Sequence, residues 1–430
     1  MSAPASAVPA ILDLRRPIRT VAILGGGPAG ASLALRLARA GLTVGLYDRG
    51  NRPPLIVGES LVPAIIPFLQ ELGLEEEVRG WSTYKPGATF VLAGGSRVRT
   101  LKFAQIADTR LTYAWNVPRD KLDAAMTAAA VRAGARLIPA QAKVERVGED
   151  RLRLSEATLA AADGLFGPDG PDHIVDATGR ARAVAKLLDL PYAEGPRKDT
   201  ALFAHLEGVP VIDEGHVHTD VLDAGWAWRI PLPGRVSVGF VVPQGVLAAR
   251  GEGAEAQYDA TLRTDSVVQQ WGATPRRVSP VLRYNNYQLV SARGSGENWS
   301  LVGDAFGFVD PVFSSGMLIG LASAATLADA ILGGGAAPFH GYETEVQHHL
   351  RAWQRAVGHF YNGRLFTTLD LGEDLERSFP GSLFAPHFRR HIPRVFTGES
   401  TRSRYSLGLL DVMCRFAIAR RDPSRYAVSG

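Results

Sequence analysis

One cysteine, Cys414, stands in 430 residues, which excludes an internal disulfide and any cysteine-built metal cluster. Lysine is nearly as scarce, six residues against 41 arginines, so each lysine stands out from the background. The first apolar run is short too. The stretch that begins at Val21 is cut by three glycines after Leu24, too soon for a signal segment or a membrane span. No repeat is visible, and outside the Ala/Pro/Ser-rich leader, residues 1–10, no stretch is polar and biased enough to stay unfolded. His216-x-His218 has no evident third ligand, so no metal site is expected. These absences lead to the expectation of a soluble, cytoplasmic protein without a membrane span.

What is present is ample apolar material, 46% of the chain, enough for about two or three domains. Charge is unevenly spread. Residues 377–430 hold ten arginines, no lysine and three acids, a local balance of +7 in a chain of net +4. Such a tail suits an acidic partner, or is simply a solvated arginine-rich surface. It contains no recognisable nucleic-acid-binding module, and none is expected to act there.

Gly25-Gly26-Gly27-Pro28-Ala29-Gly30 follows the apolar run Val21-Ala22-Ile23-Leu24 and opens a helical stretch, residues 31–40. Eighteen residues past Gly30, at the end of a second apolar run, stands Asp48, followed by Arg49. This is the strand, glycine turn, helix, strand, acid order of a dinucleotide-binding βαβ unit. Gly25 permits the tight turn, Gly27 lets backbone approach a pyrophosphate, and Gly30 allows close helix packing. The phosphates would sit on the helix N-terminus at Pro28 and Ala29, with Asp48 accepting from a ribose hydroxyl. The spacing alone leaves NAD and FAD open.

Further along, Gly303-Asp304-Ala305 ends another apolar strand. A carboxylate there can accept from a sugar-alcohol chain, which FAD has and NAD lacks; a plain helix cap is the alternative. The next helix begins at Ser314-Ser315-Gly316-Met317, whose unpaired amides would face a flavin edge and could cradle an anion. The periodicities predict an α/β chain with a discontinuous Rossmann-like FAD-binding domain, residues 18–185 and 291–338. An antiparallel substrate sheet with a helix (186–290) is inserted, and a helical region (339–430) follows. Residues 64–79 read as one amphipathic helix, and Lys85-Pro86-Gly87 as a turn. Trp226, Trp228 and Ile230 alternate as one face of a strand.

Several strings resemble the flavin-dependent halogenases, within the FAD oxidoreductases of the p-hydroxybenzoate hydroxylase type: Trp226-Ala227-Trp228-Arg229-Ile230-Pro231, Gly58-Glu59-Ser60, Asp176-Ala177-Thr178-Gly179-Arg180 and Phe308–Gly316. The resemblance covers roughly residues 20–350. It implies FAD, used as FADH2 from a partner reductase, and a halide ion held at Ser315 and Gly316. It implies a wall made by Trp226 and Trp228, cofactor contacts at Ser60 and Arg119, and Lys85 as the catalytic residue. Lysine suits that task because a desolvated ammonium loses its proton readily. Phe313 stands where tryptophan halogenases of this resemblance carry a glutamate, which points to a phenol or pyrrole substrate, free or tethered to an acyl carrier protein. A single-component aromatic hydroxylase and a polyprenyl reductase of the same superfamily are the rival readings, with a flavin-binding protein lacking turnover as a third.

Overall fold

The computed structural model describes residues 17–429 apart from 52, 54, 273, 287, 378–382, 384, 419 and 420; the leader and Arg420 lie outside the described residues. Five parallel strands form the first sheet: β1 (Thr20–Leu24), β2 (Thr43–Tyr47), β3 (Arg136–Ile138), β4 (His173–Asp176) and β5 (Trp299–Leu301). They lie in the order β5-β4-β1-β2-β3. Strands covered on both faces must be apolar throughout, which explains the unbroken run Val21–Leu24. The chain order reverses between β1 and β4, and ligands of such sheets bind outside the carboxyl ends at that switch point.

Helix α1 (Pro28–Arg39) starts with proline at its first turn and buries Leu33, Leu35 and Leu37. Helix α2 (Arg119–Arg132) precedes β3. Helix α3 (Gly316–Gly333) packs against α1 and against α4 (Ala336–Tyr361). By length and composition α3 could cross a membrane, but it lies mostly buried in the core, which is why it is apolar all round. Beyond α4 the chain is mainly helical, as expected.

The second sheet has eight strands and is mixed. Asp199–Glu207, Arg235–Pro243, Trp226–Leu232 and Val217–Val221 run antiparallel in that spatial order. Val217–Val221 then pairs in parallel with Gly87–Leu92, which pairs with Arg97–Lys102. The substrate sheet is therefore not confined to the inserted segment: residues 87–102 complete it, a long-range pairing that periodicity cannot reveal. Two local expectations also change. Residues 64–79 form two helices, Ile66–Leu72 and Glu75–Arg79, because Gly73 takes a left-handed φ of 75° and ends the first. Lys85 ends a short strand, Thr83–Lys85, paired with Ala114–Asn116, rather than sitting in a turn.

Candidate active site

A cavity of about 290 Å³ lies where the segments leaving β1, β4 and β5 meet the second sheet. Gly27, Pro28 and Ala29 line it after β1, Ala177, Gly179 and Arg180 after β4, and Gly303 and Asp304 after β5. The glycines differ in why they must be glycine. Gly25 has φ of 116°, and a Cβ there would meet Ala177 O at 2.4 Å. At Gly30 a Cβ would meet Gly25 O at 2.1 Å. At Gly27 nothing lies within 4 Å, so the missing side chain leaves open space on the cavity floor at the N-terminus of α1.

Asp48 follows β2 with its carboxylate packed against Gly26 and accepting from Gly50 N at 2.9 Å. Neither Asp48 nor the exposed Arg49 lines this cavity. Arg119, the first residue of α2, lines it while paired with Asp123 at 2.9 Å and donating to Val57 O. A second cavity of about 770 Å³ shares Ile56, Glu59 and Arg119 with the first.

Asp304 is set by the left-handed Gly303, whose N–H donates to Ser323 Oγ at 3.1 Å. Burial pushes its carboxyl up to about 6, against the opposing pull of Arg180 and Arg119. The chain then turns through Ser314, at φ of 57°, to reach the N-terminus of α3. Gly316 and Met317 line the cavity, and a Cβ on Gly316 would meet nothing within 4 Å. Ser315 is fully buried and does not line the cavity, and its hydroxyl has no hydrogen-bond partner among the described residues. The open floor at Gly27, the carboxyl of Asp304 and the accessible start of α3 fit the pyrophosphate, ribityl chain and ring edge of a flavin nucleotide. The same start of α3, with the orphaned Ser315 hydroxyl, suits a small anion.

On the sheet side Trp226, Trp228 and Ile230 line the cavity and are themselves buried. The indoles stand 5.8 Å apart, and Trp228 Nε1 donates to Ser237 Oγ at 3.2 Å. Alternation correctly places all three on one face; that this face is a cavity wall is a tertiary fact. Lys85 is 2% exposed, with Nζ donating to Ser60 Oγ at 2.8 Å and Leu61 O at 2.7 Å. Burial pushes its ammonium down to about 7, so both protonation states are populated near neutrality. Lys85 does not line the cavity; Ser60 does, and separates the two. Phe313 is buried against Trp353, Phe360 and Phe396 in an aromatic cluster.

Three features gain from the structure what the sequence does not give; the first, Glu59, reads from the sequence as a structural residue. Glu59, in the Gly58-Glu59-Ser60 string, accepts from His205 Nε2 at 2.8 Å, while Arg235 Nε donates to His205 Nδ1 at 3.0 Å. Because Arg only donates, this fixes the imidazole tautomer and holds the buried carboxylate between the two cavities. Asp310 and Tyr361 anchor Trp226, as described below. Arg180 leaves the Asp176 turn and lies over Tyr284 at 4.9 Å, beside Asp304. Glu59, Asp310 and Arg180 all stand within the strings that carry the resemblance, whereas Tyr361 has no local signal. His216 and His218 are core histidines: Thr89 Oγ1 bonds the first, and burial pushes the second down to about 3, helped by Arg229.

Comparison with known proteins agrees with this geometry. A family model described as tryptophan halogenase matches residues 20–107 and 94–364. Flavin-dependent halogenase armH5 of Armillaria mellea is 30% identical over 363 residues, 78% of this chain and 68% of the relative. Sulochrin halogenase gedL of Aspergillus terreus is 29% identical over 359 residues, 74% of this chain and 64% of that one. The solved structure of halogenase PltM in complex with phloroglucinol and FAD superposes with a TM-score of 0.71 at 17% identity, over 95% of this chain and 94% of that one, and so shares the fold. With the family model spanning most of the chain, and a relative 30% identical over 78% of it, the chain belongs to the flavin-dependent halogenases.

Proposed function

We propose that this halogenase acts on an electron-rich phenol or pyrrole rather than on free tryptophan, with Lys85 as the group that meets the activated halogen. The observation that carries the substrate class is Phe313. An indole N–H would need the acceptor that the resemblance puts at this position as a glutamate, and an unpaired buried donor costs roughly 1–3 kcal/mol. Phe313 and its aromatic neighbours offer none. PltM, which shares the fold, was solved with phloroglucinol, a trihydroxybenzene.

Gly27, Asp304 and the start of α3 would hold FAD, which when reduced would supply the electrons that activate O2 for oxidation of a halide. The protein's own residues do the rest. The amides at Ser315 and Gly316 orient the halide, since preorganised dipoles in a site closed to water act strongly. Trp226 and Trp228 keep a bulky ring off the flavin while a small oxidised halogen species passes. Lys85, whose ammonium burial pushes down to about 7, receives it through the Ser60 side of the cavity and presents it to the ring. Reduced flavin reaches the site from a separate reductase.

The test is a substrate panel. Purified protein, a flavin reductase, FAD, NADH and chloride or bromide are incubated with simple phenols, pyrroles and tryptophan, and products are read by mass spectrometry. Halogenated phenols or pyrroles with no halogenated tryptophan are expected. Preferential halogenation of tryptophan would overturn the substrate class, and substrate-stimulated NADPH oxidation without reductase would favour a single-component hydroxylase.

A further inference from the structure

We propose that Tyr361, held by Asp310, is a positioning residue that locks the Trp226 indole into the cavity wall. The inference rests on the halogenation reading above for its consequence, but its geometry is independent of it. Trp226 Nε1 donates to Tyr361 Oη at 2.9 Å, and that hydroxyl donates to Asp310 Oδ2 at 2.8 Å. Asp310 Oδ1 in turn accepts from Val312 N at 3.0 Å, capping the short turn Pro311–Phe313 that leads to Ser314, Ser315 and the start of α3. All three side chains are buried. The Arg197 guanidinium covers the Tyr361 ring at 4.2 Å and is itself paired with Asp199 at 2.8 Å, so the tyrosine is held on its face as well as at its hydroxyl. Burial and the neighbouring carboxylates keep the tyrosine hydroxyl protonated, so it donates at all ordinary pH.

The two indoles of the wall are thus held differently. Trp228 is tied to Ser237 on the adjacent strand, a contact the sheet supplies. Trp226 is tied to the C-terminal end of α4 and, through Asp310, to the loop that presents the anion-suited amides. Burying Trp226 would need only the strand's alternation; fixing the angle of its ring needs a partner for the N–H. The ring lines the cavity, and Phe360 packs against it in a T-shaped contact at 6.4 Å. If the indole turned about its side-chain bonds, the wall would open between the cavity and the aromatic cluster.

The test uses Tyr361→Phe, which removes one hydroxyl, and Trp226→Phe, which removes the N–H and leaves the Tyr361–Asp310 bond. In the protein without flavin, hydrogen exchange of the Trp226 indole N–H, followed by 1H–15N NMR, should be at least about tenfold faster in Tyr361→Phe than in the wild type. FAD affinity should stay within about twofold. In the reconstituted reaction both variants should raise the ratio of free hypohalite to halogenated product several-fold, and Tyr361→Phe should still oxidise reduced flavin at the wild-type rate. The double variant should leak no more than the worse single one. Unaltered exchange in a folded Tyr361→Phe protein, or leaks that add independently, would overturn the proposal. If Tyr361→Phe does not fold, a hypohalite ratio in Trp226→Phe equal to that of the wild type overturns it. Faster exchange in a protein that makes neither hypohalite nor product would support the anchor and sink the halogenation reading instead.

Discussion

The two halves of the site are built from different materials. The flavin side is made mostly of backbone: an open glycine, two helix starts and one carboxyl, all in segments that leave the carboxyl ends of the parallel strands. The Lys85 side is made of side chains gathered from distant segments, Ser60, Lys85, Trp226, Phe313 and Tyr361, packed to near-complete burial. The first half tolerates little change in shape and depends weakly on pH at Lys85; the second owes its chemistry to burial, which lowers a lysine pKa that exposure would leave alone. The comparison teaches that cofactor binding and halogen delivery should fail separately.

The largest effect should come from filling the flavin floor. Gly27→Val should abolish FAD binding, since the branched side chain would occupy the open space before α1; titration of the folded variant checks this, and normal affinity would displace the phosphates from that site. Lys85→Met should break the other half alone. Reduced flavin and O2 should still be consumed and hypohalite released, with product lost by about 10²–10⁴-fold, the usual scale for a group that assists proton and group transfer. Product near wild-type levels would leave Lys85 a buried structural residue.

Smaller effects sharpen the contrast. An ionised Asp304 accepts a hydroxyl hydrogen bond better than a neutral one, so FAD affinity should rise several-fold as pH increases through about 6, and Asp304→Asn should flatten the curve. Lys85 is linked to stability itself. Between about 7 and its ordinary value near 10.5 the unfolded chain holds a proton that the folded one lacks, so wild-type stability gains from this group as pH rises. Lys85→Met should therefore be more stable than the wild type at pH 7 and below, an advantage that fades toward pH 10.5 in denaturant titrations. The smallest effect concerns the basic tail. Arg390 is exposed and lies 3.4 Å from Asp108, beside the exposed Arg389. Reversing both charges should raise KM for a carrier-tethered substrate a few-fold at low salt and leave a free phenol unaffected, because screening over ~8 Å at physiological ionic strength limits long-range attraction. Equal KM values across salt concentrations would make free substrates the better reading.

The sequence by itself determined the flavin half: a strand can be followed by Gly25, Gly27 and Gly30 at that spacing for few other reasons, and Asp304 ends a strand because the pattern around it is local. It also placed Trp226, Trp228 and Ile230 on one strand face. Only the tertiary structure decided that residues 87–102 complete the second sheet, that Lys85 is buried behind Ser60 rather than exposed in a turn, and that Trp226 is tied to Tyr361, 135 residues away. The reason is physical. Turn geometry and strand alternation are properties of a few consecutive residues, whereas burial, and the pKa and orientation that follow from it, depend on what the rest of the chain packs alongside.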